Sequence, residues 1–166
     1  MIPIQYSKGD AVYPDQGSKH LGKLLFHVCN NKRGWGAGYV VSLSGRTKVP
    51  EAAFRAIPND QNYLGYVQLV SIGNRTWVAN MIAQDGYGSI DNPVPFNADA
   101  FRKCLRQVCS FAKTTGMELH GPRMGAGLGG ANWQDVARII EDELCANDVP
   151  VFIYDYEEDD GKETDC

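Results

Sequence analysis

The chain has 166 residues, 43% of them apolar, and a formal charge of −4. This size and composition are typical of one compact domain with a buried core. The negative charge argues against general nucleic-acid binding, and no apolar run is long enough to span a bilayer, so we expect neither a nucleic-acid nor a membrane partner.

The predicted elements of the first half alternate between strand and helix. A short strand is predicted at 2–6, and a second one at 23–29 is nearly all apolar, as in strands that are covered on both faces. Helices are predicted at 37–45 and 49–57. This alternation favours an α/β fold.

The middle of the chain has a different pattern. Two β-rich runs at 66–72 and 76–83 are separated by Gly73-Asn74-Arg75. Such spacing predicts a hairpin. We therefore expect one antiparallel pair within an otherwise parallel sheet.

The second half returns to helical spacing. Asn97 is predicted to cap a helix that ends at Gly116, because apolar residues recur between them every three or four positions. A strand at 117–121, a helix capped by Asn132 and a closing strand at 149–154 follow. The whole pattern predicts a mixed central sheet with helices on both faces.

The two ends of the chain differ in character. We interpret residues 1–155 as a single domain and the acidic segment 156–166 as a disordered tail, with a partner-binding arm as the alternative. The first six residues lack the basic flank and apolar core of a secretory signal, which favours the cytoplasm. The cysteines have no Cys-x-x-Cys spacing, so we expect reduced thiols and no metal site at Cys29, Cys104, Cys109, Cys145 and Cys166.

Two glycine-rich loops, 30–38 and 121–130, each follow an apolar run and precede a helix. Glycines let backbone N–H groups approach an anion closely, and the next helix adds unpaired donors. Neither loop is a P-loop or a dinucleotide fingerprint. We predict a diphosphate held from both sides; the alternative is that the glycines only form tight turns.

Four motifs in series resemble those of a macrodomain. They are Lys8-Gly9-Asp10, His27-Val28-Cys29-Asn30, Asn80-Met81-Ile82-Ala83-Gln84, and the run from Pro122 to Leu128. The resemblance implies a three-layer α/β sandwich. It also implies that ADP-ribose, or a derivative of it, binds across the carboxyl ends of the central strands. An ADP-ribosylated protein is a further partner that the resemblance suggests.

The resemblance assigns roles to both loops and to the end of the first strand. Asp10 matches an aspartate that accepts a hydrogen bond from the adenine amino group; its alternative role is a turn residue. The first loop would lie beside the distal ribose and diphosphate, and the second would hold the phosphates. No further cofactor and no metal are implied, and the predicted ligand-binding residues are Gly9, Asp10, Ala11, Trp35, Gly36, Ala37, Gly38, Met124, Gly125, Ala126, Gly127, Leu128 and Gly129.

The chain most resembles the branch that contains the terminal ADP-ribose protein glycohydrolase and the yeast-type ADP-ribose 1''-phosphate phosphatase. The glycohydrolase uses a lysine and an aspartate, and the matching positions here are Gln84 and Gly129. A glutamine amide cannot form the lysine adduct, and glycine supplies no acid or base. We therefore do not expect that mechanism.

The phosphatase resemblance points to three candidate catalytic residues. His27 is a candidate general acid or base, or else a hydrogen-bonded core residue. Asn30 could orient the distal ribose or a water, or form the turn, and Asp85 is another candidate base. The leading hypothesis is binding of ADP-ribose with hydrolysis of ADP-ribose 1''-phosphate. The alternatives are a non-catalytic binding module, and a de-ADP-ribosylating hydrolase acting through substrate-assisted water attack.

Overall fold

The computed structural model describes residues 1–156, so the predicted acidic tail, apart from Tyr156, lies outside the described residues. The strands are β1 Gln5–Lys8, β2 Lys23–Asn30, β3 Val67–Gly73, β4 Thr76–Gln84, β5 Glu118–Gly121 and β6 Val151–Asp155. They form one six-stranded sheet with the order β1-β6-β5-β2-β4-β3. All neighbours are parallel except β3 and β4.

Helices cover both faces of this sheet, which confirms the predicted α/β sandwich. They are α1 Tyr39–Arg46, α2 Val49–Arg55, α3 Ala98–Thr115 and α4 Trp133–Glu143, with a 3-10 turn at Cys145–Asn147. Alternate residues of β2 serve the two faces. Leu24 packs in one core with residues of α3 and α4, and Leu25 packs in the other with residues of α1 and α2.

Local signals placed the long helices correctly. The side chain of Asn97 accepts a hydrogen bond from the N–H of Ala100, and Gly116 ends α3 with a left-handed φ of 74°. Asn132 caps α4 in the same way by accepting from the N–H of Gln134. Each such cap contributes about 1 kcal/mol.

The first strand is displaced from its predicted position. It was expected at 2–6 and lies at Gln5–Lys8. The strand is at the sheet edge and mostly exposed, so its own residues carry little periodic signal, and pairing with β6 defines it through the Gln5–Phe152 register. The predicted hairpin between β3 and β4 is confirmed by their antiparallel pairing.

The cysteines of the described part are free thiols, three of them buried: Cys29, Cys104 and Cys145. Burial raises the pKa of Cys104 to about 12, and that of Cys145 to about 11. Both thiols are therefore protonated and unreactive at neutral pH. Cys166 lies outside the described residues. No helix within residues 1–156 combines the length and apolar character needed to cross a membrane.

Candidate functional site

A cavity of about 470 Å³ opens at the carboxyl ends of β2 and β4, and we call it the cleft. Asn30 and Gln84, the last residues of these strands, are paired after a one-residue shift in register, and both line it. Both glycine-rich loops contribute to its walls. Among the predicted site residues, those that line the cleft are His27, Asn30, Gly36, Ala37, Gly38, Met124, Gly125, Leu128 and Gly129.

The two loops meet beside the cleft. A Cβ added to Gly38 would lie 3.2 Å from Cδ1 of Leu128, and one added to Gly88 would lie 3.4 Å from the Leu128 carbonyl oxygen. The second loop therefore touches both the first loop and the segment after β4. Ala126 and Gly127, which precede Leu128, belong to this loop but do not line the cavity.

Carbonyl groups of the second loop accept hydrogen bonds from neighbouring backbone N–H groups. The Gly125 oxygen accepts from the N–H of Ala131 at 3.0 Å, and the Gly129 oxygen accepts from Phe96 at 3.2 Å. By contrast, within residues 1–156 the N–H groups from Gly125 to Gly129 donate no hydrogen bond. Successive unpaired N–H groups of this kind form an anion-binding concavity.

The first loop has the same property. Within the described chain, the N–H groups of Gly36, Ala37 and Gly38 have no acceptor, and α1 is preceded by Gly38, which provides no side-chain cap. The N-terminus of α1 therefore presents unpaired donors and the positive end of its dipole to the cleft.

Glycine is required at particular points of the second loop. Gly125 has a φ of 76°, which side chains rarely adopt, and a Cβ on Gly129 would lie 2.5 Å from the Gly125 carbonyl oxygen. Any side chain at either position would therefore deform the loop. These contacts give the glycine pattern its physical reason.

The cleft has little side-chain charge. Arg123 is the ionised residue among the described residues that line it, and Asp155 binds this guanidinium through two hydrogen bonds of 2.6 and 3.1 Å. The guanidinium also lies over the rings of Tyr6 and Trp133, at 5.1 and 5.4 Å from their centroids. Arg123 is thus neutralised and fixed at one side of the cleft.

Gly9, Asp10 and Ala11 do not line the cavity but border its β1 side. The Gly9 N–H donates to the Asp155 carbonyl oxygen, and Tyr39, which lines the cleft, donates to the Ala11 carbonyl oxygen at 3.4 Å. The Asp10 Oδ1 atom accepts from the N–H of Val12 at 2.8 Å. Burial, and then the Asp10 carboxylate, raise the pKa of Tyr39.

His27 lines the cleft but is only 1% exposed. Its Nε2 atom lies 2.6 Å from Oδ1 of Asn80, whose amide nitrogen donates to the carbonyl oxygen of Pro50. This arrangement assigns the imidazole proton to Nε2. Burial lowers the pKa of His27 to about 4, so the ring is neutral at physiological pH.

Asn30 organises its own loop. Its Oδ1 atom accepts from the N–H groups of Lys32 and Gly34, and its Nδ2 atom donates to the Gly34 carbonyl oxygen. Asp85 is exposed, lies outside the cavity lining, and accepts from Nδ2 of Asn31 at 2.9 Å. Both candidates therefore hold loop structure, and only Asn30 lines the cleft.

Aromatic residues support the cleft from two sides. Trp35 is buried beneath the first loop, where its Nε1 atom donates to Oγ of Ser44 and its ring packs edge-on against His27. Tyr87 lines the cleft and lies so close to Gly34 that a Cβ there would be 2.6 Å from it. The ligand-binding set predicted from the sequence omitted Tyr39, which lines the cleft; the signal for it was its place directly after Gly-x-Gly.

Gln84 and Gly129 both line the cleft. The Gln84 amide donates to the Gly86 carbonyl oxygen at 3.1 Å, and Gly129 contributes only backbone. These two positions of the cleft therefore offer neither an amine nor a carboxylate.

The chain is similar to several proteins of known structure. It is 38% identical to a protein of unknown function from Bacteroides thetaiotaomicron, covering 93% of this chain and 98% of that one with a TM-score of 0.86. It is 36% identical to a macrodomain protein from Streptomyces coelicolor, covering 93% and 99% with a TM-score of 0.77. No family model matches the chain.

More distant similarities extend this set. Thermosipho africanus DarTG in complex with ADP-ribose shares the fold at 17% identity and a TM-score of 0.61, over 81% of this chain and 38% of that one. The mouse chromodomain-helicase-DNA-binding protein 1-like is 24% identical in an alignment of 162 residues that covers 91% of this chain. The chain spans only 17% of that protein's length.

Proposed function

This chain belongs to the macrodomain family, and we propose that it binds ADP-ribose in the cleft. The observation that carries the proposal is the unpaired N–H groups of Gly36–Gly38 and Gly125–Gly129, on two loops that border one cavity. A diphosphate supplies the acceptors that these donors lack. The α1 N-terminus adds a favourable dipole on the same side.

The dimensions of the cleft suit a ligand of this length. Its volume of about 470 Å³ lies in the usual range for small-molecule sites. From β1 to β4 the sheet edge spans four strand spacings, which is roughly 19 Å at about 4.8 Å per spacing. An extended dinucleotide-like ligand can therefore reach from Asp10, after β1, to Tyr87, after β4.

This orientation gives each end of the ligand a chemical partner. Asp10 uses Oδ1 for the Val12 N–H, and its other carboxylate oxygen can accept from the adenine amino group. The distal ribose then lies near Asn30 and Tyr87. The DarTG neighbour that contains ADP-ribose has the same fold and supports this choice of ligand.

Hydrolysis of ADP-ribose 1''-phosphate is the second candidate function. It is supported by the unpaired N–H groups near the proposed distal end, which can stabilise negative charge on a phosphate under attack by water. His27 is buried and neutral, and its Nε2–H donates to Asn80. Its proposed role is therefore to position the first loop, through its contact with the Trp35 ring. Asp85 and the substrate phosphate are the proposed proton acceptors.

The cleft leaves room for ADP-ribose that is attached to a protein. Tyr87 and Leu128, beside the cleft, are each 55% exposed, so the distal end is open to a group attached to the ribose. ADP-ribosylated protein is therefore a proposed ligand, and its release by substrate-assisted hydrolysis is the third activity to assay.

Calorimetric titration with ADP-ribose, and with AMP and ADP as controls, tests the proposal. We expect ADP-ribose to bind saturably and with the highest affinity of the three ligands. ADP should bind more weakly because it lacks the distal ribose, and AMP should bind most weakly because it also lacks one phosphate. Equal affinities for the three ligands, or no binding by folded protein, would overturn it.

A phosphate-release assay then separates the enzyme from the binding module. ADP-ribose 1''-phosphate is the substrate, and Asp85→Asn is compared with the wild type. Release that falls in this variant while ADP-ribose affinity is kept supports hydrolysis with Asp85 as base. Binding without release identifies a non-catalytic module.

A further inference from the structure

A second concavity lies at the opposite edge of the sheet, where β2 and β4 begin. We call it the basal pocket; it has a volume of about 290 Å³, and its walls include Lys19, Lys23, Arg46, Asn74, Arg75 and Thr76. Lys23 and Thr76 are the paired first residues of their strands. Since β2 has eight residues, roughly 23 Å separate this pocket from the cleft.

Four cationic side chains converge on the basal pocket, and none of the described residues that line it is acidic. Within residues 1–156, Lys19, Lys23, Arg46 and Arg75 form no salt bridge. The nearest acid in register is Glu118 on β5. Both of its carboxylate oxygens accept from the Ser18 N–H at 3.1 Å instead.

Backbone carbonyl groups hold three of these cations in place. The Lys23 ammonium donates to the Pro14 oxygen at 2.8 Å, and Arg75 donates to the His20 oxygen at 2.9 Å. Arg46 donates to the Val12 oxygen. A lysine carries three donors and an arginine five, so each cation keeps donors for a ligand after these bonds are made.

The positive field of the pocket is felt inside the protein. His120, on β5, is fully buried; burial and then the nearby Lys23 ammonium lower its pKa to about 3, and the Asp15 carboxylate acts in the opposite direction. The effect of the Lys23 charge on His120 is therefore larger than that of the Asp15 carboxylate, although the protein as a whole is acidic.

We propose that the basal pocket binds a phosphate group, either as a free phosphate or as the terminal group of a larger molecule. Phosphate offers several acceptor oxygens to converging lysine and arginine donors, and its charge relieves their mutual repulsion. The volume of about 290 Å³ is at the lower limit for ligand sites, so the pocket suits the phosphate group itself.

Amide NMR titration with pyrophosphate, at ionic strength held constant with KCl, tests the proposal. We expect saturable shifts at Arg75 and Thr76, separate from any at Gly125–Gly129 in the cleft. Inorganic phosphate and ribose 5-phosphate are the two further ligands. Saturation by both shows that a terminal phosphate suffices, and saturation by inorganic phosphate alone identifies a free anion as the ligand.

Two variants remove charge without touching the cleft. Lys19→Glu changes an exposed residue, and Arg75→Asn introduces a residue type that tolerates the φ of 53° found there. Each should weaken pyrophosphate binding at the basal pocket at least about tenfold. The matched control Arg138→Glu changes an exposed arginine of α4 and should leave it within about twofold.

Either of two results would overturn the proposal. One is the absence of saturable shifts at Arg75 and Thr76 up to about 10 mM pyrophosphate. The other is equal weakening by Arg138→Glu and Lys19→Glu, which would show that the response reflects overall charge rather than this pocket.

Discussion

The two edges of the central sheet present positive charge in different ways. At the carboxyl edge, the cleft offers peptide N–H groups of Gly36–Gly38 and Gly125–Gly129, and its arginine is neutralised by Asp155. At the amino edge, the basal pocket offers four side-chain cations without an acid among its described walls. Fixed peptide N–H groups select ligands whose acceptors match their geometry. Side-chain cations attract any anion of suitable size, and salt screens that attraction.

Acid is expected to give the largest effect, because each edge has a buried histidine nearby. Burial lowers the pKa of His27 to about 4 and that of His120 to about 3, below the usual 6.5. The unfolded chain therefore binds protons first, so the stability that these histidines contribute is present above pH 6.5 and is lost as the pH falls. Between pH 7 and 4.5 the loss is roughly 2–3 kcal/mol for each histidine.

Urea unfolding at both pH values measures this loss. His27→Gln keeps a donor for Asn80 and should remove the part of the stability loss that His27 causes between the two pH values. The control His20→Gln changes an exposed histidine and should leave that loss unchanged. An equal loss of unfolding free energy in the wild type and both variants would show that His27 does not set the pH dependence.

Adding one methyl group to the second loop is the next largest perturbation. In Gly129→Ala, the new Cβ would lie 2.5 Å from the Gly125 carbonyl oxygen, so the loop must move its N–H groups. We expect ADP-ribose affinity to fall about 100-fold by calorimetry. Gly45→Ala is the control, since its Cβ would meet nothing within 4 Å; unchanged affinity in Gly129→Ala would contradict the backbone site.

Asp10→Asn tests the proposed adenine contact. Asparagine can still accept from the Val12 N–H through its oxygen, but its amide group would face the adenine amino group with a second donor. Affinity for ADP-ribose should fall about tenfold. The hypoxanthine analogue has a carbonyl oxygen in place of that amino group, to which the asparagine amide can donate, so its affinity should not fall; an equal loss for both ligands would place adenine elsewhere.

Salt should produce the smallest effect and separates the two edges directly. Raising KCl from about 0.05 to 0.5 M should weaken pyrophosphate binding at the basal pocket about fivefold, and ADP-ribose binding in the cleft less than about twofold. NMR titration of Arg75 and of Gly125–Gly129 reads the two sites in one sample. Equal salt dependence would remove the distinction between them.

Much of the fold could be predicted because local signals were strong. The caps of α3 and α4, the apolar strand β2 and the hairpin at Gly73-Asn74-Arg75 all depend on residues close together in the sequence. β1 was misplaced because its position depends on pairing with β6, which lies nearly 150 residues away, as in the Gln5–Phe152 pair.

The two sites show the same contrast between features set by neighbouring residues and features set by residues far apart in the sequence. Glycine spacing and the family resemblance pointed to both loops of the cleft, and these loops do line one cavity. The environment of His27 depends on Asn80, 53 residues away, so the sequence left its role open. The basal pocket was missed because Lys19, Lys23, Arg46 and Arg75 form no run and meet only in the fold.

The glycines of the second loop change what a mutational survey can report. Alanine scanning removes side chains and measures what they contributed, but the donors from Gly125 to Gly129 belong to the main chain. At Gly125 and Gly129, alanine adds an atom where none fits. In an alanine scan of this cleft, the supporting residues would weaken binding because they lose side-chain contacts, whereas the glycines would weaken it because the added Cβ displaces the loop. Backbone ester substitution, which removes one N–H at a time, would measure the donors themselves.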